Sequence, residues 1–434
     1  MLSNARRRLL ADFLAATRNE ITVDEMFLAL SRLQPDDVGY LPRVPHWVRW
    51  AQRRPSTTRW ISRLARIAWI LGGAALFFAH EWLKFSRLKP LNDAPQAPHA
   101  EGAVLGLSTR VSDIVDARHF PGFPRTWLTL PWAPQSHLPM EARELPLMTL
   151  VDTADIRRAF VDAMAATWIM SRRRRLSPWV LQSYTAFRWF LVRRATDRLS
   201  GTLVTTEHFD RWAILADRCI REQRRNTAHQ YRFVVVQHGA LGRLDRERGS
   251  SAFALVLPTR LREVDELHAY NEDEATAFRT FVIADTARAR AMNLHFFKPG
   301  IELTGNLRSS RPRLLFVGHP LCEEFHVAVF NALRERLDFE AYYKPHPKAP
   351  ISGSMANVGW TIIDNPQTFP RVDLLVSYPS TLVIEYEGSG IPASVHRLDV
   401  TNVELDAFLA QTQERIDAGK QGHQGEVDPA SRPE

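Results

Sequence analysis

The sequence predicts an α/β protein with two parallel-sheet domains that face each other and a helical extension at the N-terminus. Three observations predict this fold class. From residue 103 onward, short apolar runs alternate with helical stretches, as they do in βαβ units. Arg311-Pro312 interrupts the alternation, and a second block of the same kind follows it. Polar residues stand at the ends of the apolar runs in both blocks, where open parallel sheets bind their ligands.

Size and charge narrow the classes of protein to consider. The chain has 434 residues, of which 45% are hydrophobic and 24% charged, a composition typical of globular proteins. The formal net charge is +8, and seven arginines without any acid fall between Arg43 and Arg66. Tryptophans accompany these arginines, so the charge indicates an anionic membrane surface or a polyanionic substrate. Nucleic acid is not expected as a partner, since no zinc-finger or RRM-type signature occurs.

Residues 1–100 are predicted to form a basic helical region at a membrane interface. Thr22, three residues before Glu25, predicts the cap of a second short helix after a first one. The uncharged run 67–79 would cover roughly 20 Å as a helix, less than the ~30 Å hydrocarbon core. Continuing it through Glu81 would bury a carboxylate, so a segment lying on the membrane is favoured over a span. Packing on the protein's own core is the third interpretation.

The two cysteines and the N-terminal sequence indicate the cellular compartment of the protein. Cys219 and Cys322 are far apart in the sequence and predict two buried free thiols in a reducing cytosol. The N-terminus has no apolar run or cleavage site of a secretory signal peptide. We therefore expect a cytoplasmic protein that is peripheral to the inner membrane.

Two sheet domains and a tail make up the rest of the chain. The first domain, residues 101–310, has predicted strands at 103–107, 126–130, 202–206, 233–236, 254–257 and 280–283, with helices at about 153–199 and 211–225. The second domain, residues 311–413, has predicted strands at 314–317, 339–343, 360–363, 374–376 and 393–395, with a helix at 322–337. Residues 414–434 are polar and predict a flexible tail.

Five polar clusters follow predicted strands. Two lie in the first domain and three in the second: Glu207-His208, Gln237-His238-Gly239, Gly318-His319-Pro320, Lys344-Pro345-His346-Pro347, and Ser377 to Thr381. One polar strand end would be unremarkable, but five of them in two domains predict a cleft between facing sheets. We expect Gly318, His319 and Lys344 to contribute to a site for a nucleotide or phosphate.

His346 is the leading candidate for chemistry in the second domain. The two prolines around it disfavour helix and hold an extended loop, which places the imidazole at the strand tip. A protonated His346 could neutralise a departing phosphate or donate a proton to it. The alternative is a proline-braced surface loop with an incidental histidine.

A predicted helix N-terminus supplies a second anion-binding element. Ser377, Ser380 and Thr381 precede a helix whose free N–H groups and dipole favour an anion. Ser380 or Thr381 could instead be only a helix cap. Glu385, one turn into this helix, could accept hydrogen bonds from a ribose or be a solvated charge.

Together these motifs resemble GT-B glycosyltransferases of bacterial surface and capsular polysaccharides. The similar groups include the sialyl- and polysialyltransferases, the capsule Kdo transferases and the CDP-glycerol glycerophosphotransferases. In those families a His-Pro motif and a Ser/Thr pair hold the donor phosphate, which here implies His346-Pro347 and Ser380-Thr381. Glu385, with Gly390-Ile391-Pro392 after it, matches the Glu-x4-Gly-x-Pro pattern that binds the donor ribose. The resemblance implies a GT-B-like fold of two facing Rossmann-like domains.

The resemblance also extends to the first domain. Gln237-His238-Gly239 resembles a Gln-His-Gly element of capsule-type transferases, which implies an acceptor-side role for Gln237 and Gly239. Thr304-Gly305 fits the Thr-Gly that commonly closes that domain. The acidic Asp/Glu-Asp/Glu-Gly motif that supplies the base of sialyltransferases is absent. His238 and Glu207, both at predicted strand tips, remain as candidates for the base.

The implied function is the transfer of a sugar from a nucleotide-activated donor, with a CMP-sugar favoured, to a glycan or lipid-linked acceptor in surface polysaccharide biosynthesis. One alternative is a glycerophosphotransferase that uses a CDP-alcohol. Another is a non-catalytic, membrane-associated scaffold that binds glycan. No His-Glu-x-x-His, no His/Cys cluster at ligand spacing and no Asp-x-Asp occurs, so we expect metal independence and no cofactor. A Gly-x-Ser-x-Gly and a Walker A loop are also absent, which disfavours a hydrolase or a P-loop NTPase.

Overall fold

The chain forms two compact units, Met1–Phe297 and Lys298–Glu434. The computed structural model describes residues 3–30, 33–42, 54–89, 102–109, 111–115, 120–226, 231–241, 255–298, 300–305, 311–346, 351, 353–365, 367–398 and 400–424. Each unit is α/β and contains a parallel sheet. The N-terminal helices belong to the first unit, and the division falls at 297/298, ahead of the boundary at 310/311 that the sequence predicts.

The first unit is organised around a seven-stranded parallel sheet of order β3-β2-β1-β4-β5-β6-β7. The strands are β1 (Gly102–Leu105), β2 (Thr126–Thr129), β3 (Arg143–Pro146), β4 (Thr202–Thr205), β5 (Arg232–Val236), β6 (Glu266–Ala269) and β7 (Asn293–Phe296). Its helices are α1 (Asn4–Leu30), α2 (Pro55–Ala68), α3 (Ala74–Leu88), α4 (Val111–Ile114), α5 (Leu147–Leu150), α6 (Thr153–Arg172), α7 (Ala186–Thr196), α8 (Arg211–Asn226), α9 (Glu272–Ala277) and α10 (Ala287–Arg290). Shorter helical turns occupy Trp69–Gly73, Val180–Thr185 and Phe278–Val282.

Both faces of this sheet are buried, because consecutive side chains of each strand enter different apolar clusters. In β5, Phe233 and Val235 join the large cluster that contains the N-terminal helix, while Val234 and Val236 join a smaller cluster on the other face. A parallel sheet covered on both sides reads as a continuous apolar run instead of an alternating one. This explains why β1, β2, β4 and β5 are readable from sequence.

One continuous helix, α1, stands where the sequence predicts two short ones. Its buried residues include Leu10, Phe13, Thr17, Ile21 and Leu28, which recur at three- to four-residue intervals along one face. That face packs into the core of the first unit. The burial of a whole apolar stripe outweighs the local capping pattern at Thr22, so the prediction of a second helix is wrong.

Helices α2 and α3 form one long helical segment joined by a wide turn at Trp69–Gly73. The buried residues Thr58 and Ser62 precede the turn, and Ala74, Phe78, Glu81 and Phe85 follow it. Within the turn, Gly72 has φ 167°, outside the helical range. Glu81 is buried, and the guanidinium of Arg188 donates to its carboxylate at 2.5 and 3.0 Å. One face of this segment therefore packs on the protein's own core.

Several predictions for the first domain are corrected. Residues 280–283 are not a strand, because Asn271 caps α9 and the helix continues through the turn Phe278–Val282. The described residues 255–257 form no strand either, and Ala254 lies outside the description. The helical region at 153–199 is divided into α6, the turn Val180–Thr185 and α7. Strands β3, β6 and β7 were not predicted.

The second unit contains a five-stranded parallel sheet of order β11-β10-β9-β13-β14 and a two-stranded sheet. The strands are β8 (Leu303–Thr304), β9 (Arg313–Val317), β10 (Glu340–Lys344), β11 (Thr361–Ile362), β12 (Phe369–Pro370), β13 (Leu374–Ser377) and β14 (Ala393–Val395). The helices are α11 (Glu323–Arg334), α12 (Gly353–Ala356), α13 (Thr381–Gly388) and α14 (Leu405–Gln424), with a short turn at Asn402–Glu404. All five main strands and the helix at 322–337 were predicted within a few residues.

The central strand β9 lies between β10 and β13, where the strand order reverses. Such a reversal opens a crevice beyond the carboxyl ends of the central strands. Leu314 and Phe316 pack on one face of the sheet, and Leu315 and Val317 pack on the other. The sheet is thus a rigid, fully covered support for the loops at its carboxyl edge.

Thr304 belongs to this second unit and does not close the first one. It lies in β8, which pairs in parallel with β12, and Arg371 N–H donates to its carbonyl at 2.8 Å. Asn306 lies outside the described residues.

Candidate functional site

Three neighbouring strand ends of the second unit bring aromatic and imidazole rings together. His319 follows β9, His346 follows β10, and Tyr378 follows β13. The ring centroid of His319 lies 5.3 Å from that of His346 and 5.1 Å from that of Tyr378. Leu321 N–H donates to Nδ1 of His319 at 3.2 Å, so the His319 proton is on Nε2. The predicted grouping of His319 and His346 is present, and Tyr378 joins it.

Gly318 allows the close packing on which this edge depends. A Cβ at this position would lie 2.2 Å from the hydroxyl oxygen of Tyr343. Its N–H donates to the carbonyl of Lys344 at 2.7 Å and continues the β9–β10 pairing. Gly318 therefore shapes the strand end and needs to be glycine for steric reasons.

The serines after β13 form a hydroxyl pair at the start of α13. Ser377 is fully buried and donates to the carbonyl of Tyr378 at 2.7 Å. Because that bond uses its only proton, Ser380 donates to the Ser377 oxygen at 3.1 Å. Ser380 occupies the N-cap position of α13 without capping the helix through its side chain. Ser380 therefore does not cap the helix through its side chain, which was the alternative interpretation, and Thr381 is the first residue of α13.

Lys344 is buried within the second unit and braces a loop. Its ammonium donates to the carbonyls of Asn365 and Thr368 at 3.2 and 2.8 Å and lies 4.6 Å from the ring centroid of Phe369. Burial lowers the pKa of Lys344, while the Glu385 carboxylate raises it. Lys344 thus contributes a buried positive charge near Glu385.

Glu385 lies one turn into α13, partly buried, within the electrostatic reach of Lys344. Burial raises the pKa of Glu385 to about 7, although the Lys344 ammonium opposes this change. The carboxyl group can therefore change its charge near neutral pH. A partly buried carboxyl in this position can accept hydrogen bonds from the hydroxyls of a ligand. Gly390, with φ +80°, ends the region in the left-handed conformation that glycine adopts most readily.

Glu385→Gln is expected to stabilise the ligand-free fold at alkaline pH. The folded-state pKa is about 7, above the ordinary 4.5, so stability linked to the proton is present below about pH 4.5 and is lost as the pH rises through 7. Glutamine has no proton to lose. The Tm difference between variant and wild type should therefore grow from about pH 5 to about pH 8 in thermal unfolding. Glu387→Gln, at an exposed position of the same helix, is the control. Parallel curves of Tm against pH for Glu385→Gln and wild type would contradict the raised pKa of Glu385.

In the first unit, hydrogen bonds define the tautomer of His238. Its Nδ1 contacts the carbonyl oxygen of Thr206, which can only accept, so Nδ1 carries the proton and Nε2 has a lone pair. The backbone N–H of His238 donates to Nε2 of His208 at 2.9 Å. Burial, together with the neighbouring His238 imidazole, holds the pKa of His208 well below its ordinary value. His238 is partly exposed and is thus an oriented imidazole at the carboxyl edge of the sheet.

Gln237 and Gly239 fix the turn that carries His238. The amide nitrogen of Gln237 donates to the Gly239 carbonyl at 2.8 Å and to Glu274 at 2.6 Å, while its oxygen accepts from Tyr270 N–H at 2.8 Å. Gly239 has φ +77°. Gln237 is fully buried, so it shapes the turn and offers no exposed group to an acceptor.

Glu207 is buried against a second carboxyl group. Its side chain is 5% exposed. Burial, followed by the adjacent Glu207 carboxylate, holds the pKa of Asp210 well above its ordinary value. Asp210 also accepts from the N–H groups of Trp212 and Ala213 at 2.8 and 2.9 Å at the start of α8. This pair belongs to the packing of α8.

A cavity of about 440 Å³ lies beside β2 and β3 in the same unit. Its lining includes Thr129, Gln135, Glu144 and Met148, and Thr129 donates to the Glu144 carboxylate at 2.8 Å. None of these residues was a candidate from sequence, since no pattern marks β3.

The sequence shows no His/Cys cluster at metal-ligand spacing, but the fold of the second unit brings three such side chains together. Donor atoms of Cys322, His326 and His396 lie within 4.8 Å of one another, and all three side chains are buried. Cys322 and His326 are one helical turn apart, a local signal that the sequence carries, whereas His396 comes from beyond β14. Burial raises the pKa of the Cys322 thiol to about 12.

Comparison with protein-family models found no match, and a search of curated proteins found none either. Pro347 lies outside the residues that the structure describes. The second unit places His319, His346 and Ser377 at the carboxyl edge of one sheet. Ser380 precedes α13, and Glu385 lies one turn into this helix.

Proposed function

We propose that this chain is a glycosyltransferase of the GT-B type that takes a nucleotide-activated sugar as donor. The observation that carries the proposal is the grouping of His319, His346 and Tyr378 at adjacent strand ends, next to the hydroxyl pair Ser377–Ser380. This grouping lies at the reversal of strand order, the place where doubly wound sheets bind nucleotides. The second unit would bind the donor, and the first would supply the base.

The chemistry of transfer needs a stabilised leaving group. As the acceptor oxygen bonds to the sugar, the bond between the sugar and the nucleotide phosphate breaks, and charge develops on the phosphate. His346, when protonated, would stabilise this charge or donate a proton to it. The first N–H groups of α13 would add hydrogen bonds to the same phosphate, and the Ser380 hydroxyl would add one by turning away from Ser377. Glu385 would accept from ribose hydroxyls.

His238 is the base that the geometry of the first unit favours. A base needs a lone pair on an exposed atom, and Nε2 of His238 is held in that state by the bond from Nδ1 to Thr206. Glu207, the other candidate, is buried in its pair with Asp210. The proton from the acceptor hydroxyl would pass to His238.

A thermal-shift panel tests the donor site. CMP, CDP, UDP and GDP are added separately to the full-length protein, with the matching nucleosides as phosphate-free controls. A nucleotide at about 100 times its Kd stabilises the native state by ~2.7 kcal/mol, equivalent to roughly 5 °C or more in Tm. We expect one base to be preferred and the nucleosides to have little effect. No shift with any nucleotide would reject the transferase proposal.

Labelled donors separate the two enzymatic alternatives. Transfer of label from a CMP-sugar supports the glycosyltransferase, with the surface glycan or a lipid-linked glycan as acceptor. Transfer of glycerol phosphate from CDP-glycerol would favour the glycerophosphotransferase. A protein that binds nucleotide but transfers nothing from either donor would fit the scaffold alternative.

We also propose that the outer face of α2 and α3 lies on an anionic membrane surface. Among the described residues, Ser56–Leu88 is the one helical segment long and apolar enough to cross a membrane. Its solvent-facing side includes Leu64, Leu71 and Leu76, which are 60%, 81% and 76% exposed. Arg63, exposed on the same segment beside Trp60, supplies a charge that attracts anionic lipid. The buried Glu81–Arg188 pair favours a segment lying on the surface over a span.

Vesicle flotation checks this placement. Full-length protein is expected to float with vesicles that contain anionic lipid, and less with neutral ones. The double variant Leu71→Asp/Leu76→Asp should lose most of this binding, because it charges the exposed apolar face. Val403→Asp, which alters a 93% exposed residue in the other unit, is the control. Equal flotation of all three proteins would contradict the proposal, and wild-type binding that resists alkaline extraction would indicate a span.

A further inference from the structure

We propose that Cys322, His326 and His396 bind a transition-metal ion of the zinc class that braces the carboxyl edge of the second unit. The proposal is independent of the proposed transferase activity. Thiolate and imidazole are the ligands that zinc prefers in proteins. Each of the three residues offers one donor atom, and these atoms lie within 4.8 Å of one another.

The backbone holds two of the ligands in register. Cys322 directly precedes α11, and His326 N–H donates to the Cys322 carbonyl at 2.9 Å, so the two side chains lie one turn apart on the same face. His396 follows β14, the strand at the edge of the sheet. The ion would therefore tie α11 to the end of β14.

The two imidazoles already point at each other through their Nε2 atoms, 2.7 Å apart. Around a tetrahedral zinc ion two such nitrogens are about 3.3 Å apart, so a separation of roughly 0.6 Å between the rings would admit the ion. Nδ1 of His396 lies 2.8 Å from the carbonyl oxygen of Arg397 and must donate to it. That bond leaves Nε2 of His396 as a lone pair facing the site, in the arrangement typical of metal-bound histidines.

The ring of His326 has a polar atom that the protein does not satisfy. With His396 Nε2 as the acceptor, the proton between the rings belongs to His326 Nε2, and Nδ1 of His326 has a lone pair. This Nδ1 is buried and has no hydrogen-bond partner. His326 itself is fully buried, so water from the surface does not compensate for the missing bond. The pair therefore leaves one buried polar atom without a hydrogen bond, which is rare in folded proteins.

A second group, Glu266, His268 and His295 in the first unit, fits a cation less well. Its donor atoms are also within 4.8 Å of one another. The Glu266 carboxylate, however, is engaged by the guanidinium of Arg232 and by His268. A fixed positive charge on the carboxylate disfavours a cation there. Near Cys322, by contrast, the charged side chain that acts on the thiol is an acid, Glu323.

Binding at the Cys322 group would release one proton. The thiol now donates to the carbonyl of His319 at 3.4 Å, and the metal would replace this proton with a zinc–sulfur bond, the proton passing to solvent. His396 would bind through its Nε2 lone pair. His326 would bind through Nε2 after its proton has moved from Nε2 to Nδ1, and water would take the fourth position. Since Cys322 N–H also donates to the His319 carbonyl, at 3.0 Å, the ion would steady the loop that carries His319.

Cobalt(II) binding to the full-length protein tests this site. We expect one Co²⁺ per chain, with a thiolate charge-transfer band and the visible absorption of a tetrahedral ion, and displacement of both by Zn²⁺. X-ray absorption of the zinc-loaded wild type should fit one sulfur and two imidazole nitrogens and needs no variant. A wild-type protein without the thiolate band, or a zinc shell without sulfur, would overturn the proposal.

Matched variants locate the ion. Cys322→Ser is expected to abolish the thiolate band and the Tm increase that Zn²⁺ gives, whereas Cys219→Ser, which changes the other buried cysteine, should preserve both. His268→Asn removes a member of the competing group and should also preserve them. Metal binding that survives Cys322→Ser but is lost in His268→Asn would assign the ion to the first unit and refute the inference.

Discussion

His346→Ala is expected to lower the turnover of sugar transfer at least ~10²-fold, because general acid catalysis typically contributes that much or more. In the variant, the departing phosphate would leave without its proton donor, while Ser380 and Glu385 would still bind part of the nucleotide. The fall should therefore appear in kcat more than in the donor KM. Steady-state transfer with the labelled donor measures both constants. Added imidazole should restore part of the lost turnover, since it can occupy the space of the missing ring.

The control for this variant is His137→Ala. The side chain of His137 is 65% exposed and lies in the first unit, so its loss should leave turnover unchanged. Thermal unfolding of both variants establishes that they are folded. A loss below about threefold in His346→Ala, or an equal loss in both variants, would mean that His346 is an incidental loop residue.

The strands of the second sheet were readable from sequence because each central strand has a short uninterrupted apolar run with a clear end. Residues 314–317 precede Gly318, residues 341–343 precede Lys344-Pro345, and residues 374–376 precede Ser377. In β6, by contrast, Glu266 and His268 are buried, and their mutual contact at 2.5 Å satisfies them only in the folded chain. A pattern of hydrophobic residues contains no signal for such a pair, because it counts both residues as polar and therefore as exposed. β6 was consequently missed.

The residues of the candidate site also divide into those that local sequence reveals and those that it does not. Strand-end motifs are local, so His346, His319 and Ser380 could be named without knowing the strand order. The roles of Lys344 and Gln237 depend on partners far along the chain, at Thr368 and Glu274. Their types suggested contact with a ligand, but the structure uses them to brace loops. Burial and long-range bonding were the missing information.

Long-range contacts also explain why the group of Cys322, His326 and His396 was not named from sequence. Cys322 and His326 show helical spacing, but two potential ligands alone do not predict a site. His396, the third, lies 70 residues from His326 in sequence and reaches it only through the parallel order of β9, β13 and β14. The sequence alone therefore predicted no metal ligands here.

His238→Asn should lower kcat/KM for the acceptor by ~10² to 10⁴, the usual contribution of a general base. Asparagine can still donate a hydrogen bond to the Thr206 carbonyl through its amide, as Nδ1 does now, so the turn should keep its shape. It has no basic nitrogen to take the acceptor proton. The thermal shift given by the preferred nucleotide should stay at its wild-type size, because the donor residues are in the second unit.

Glu207→Gln is the matched comparison for His238→Asn. Its carboxyl is paired with Asp210 and 5% exposed, and an amide can replace one member of that pair, so activity should be largely retained. The reverse result, an active His238→Asn and an inactive but folded Glu207→Gln, would assign the base to Glu207. Such a result would also require the Glu207–Asp210 pair to open during catalysis, since a buried carboxyl cannot reach an acceptor hydroxyl. Nε2 of His238 needs no such opening, because it is oriented by Thr206 before any acceptor arrives.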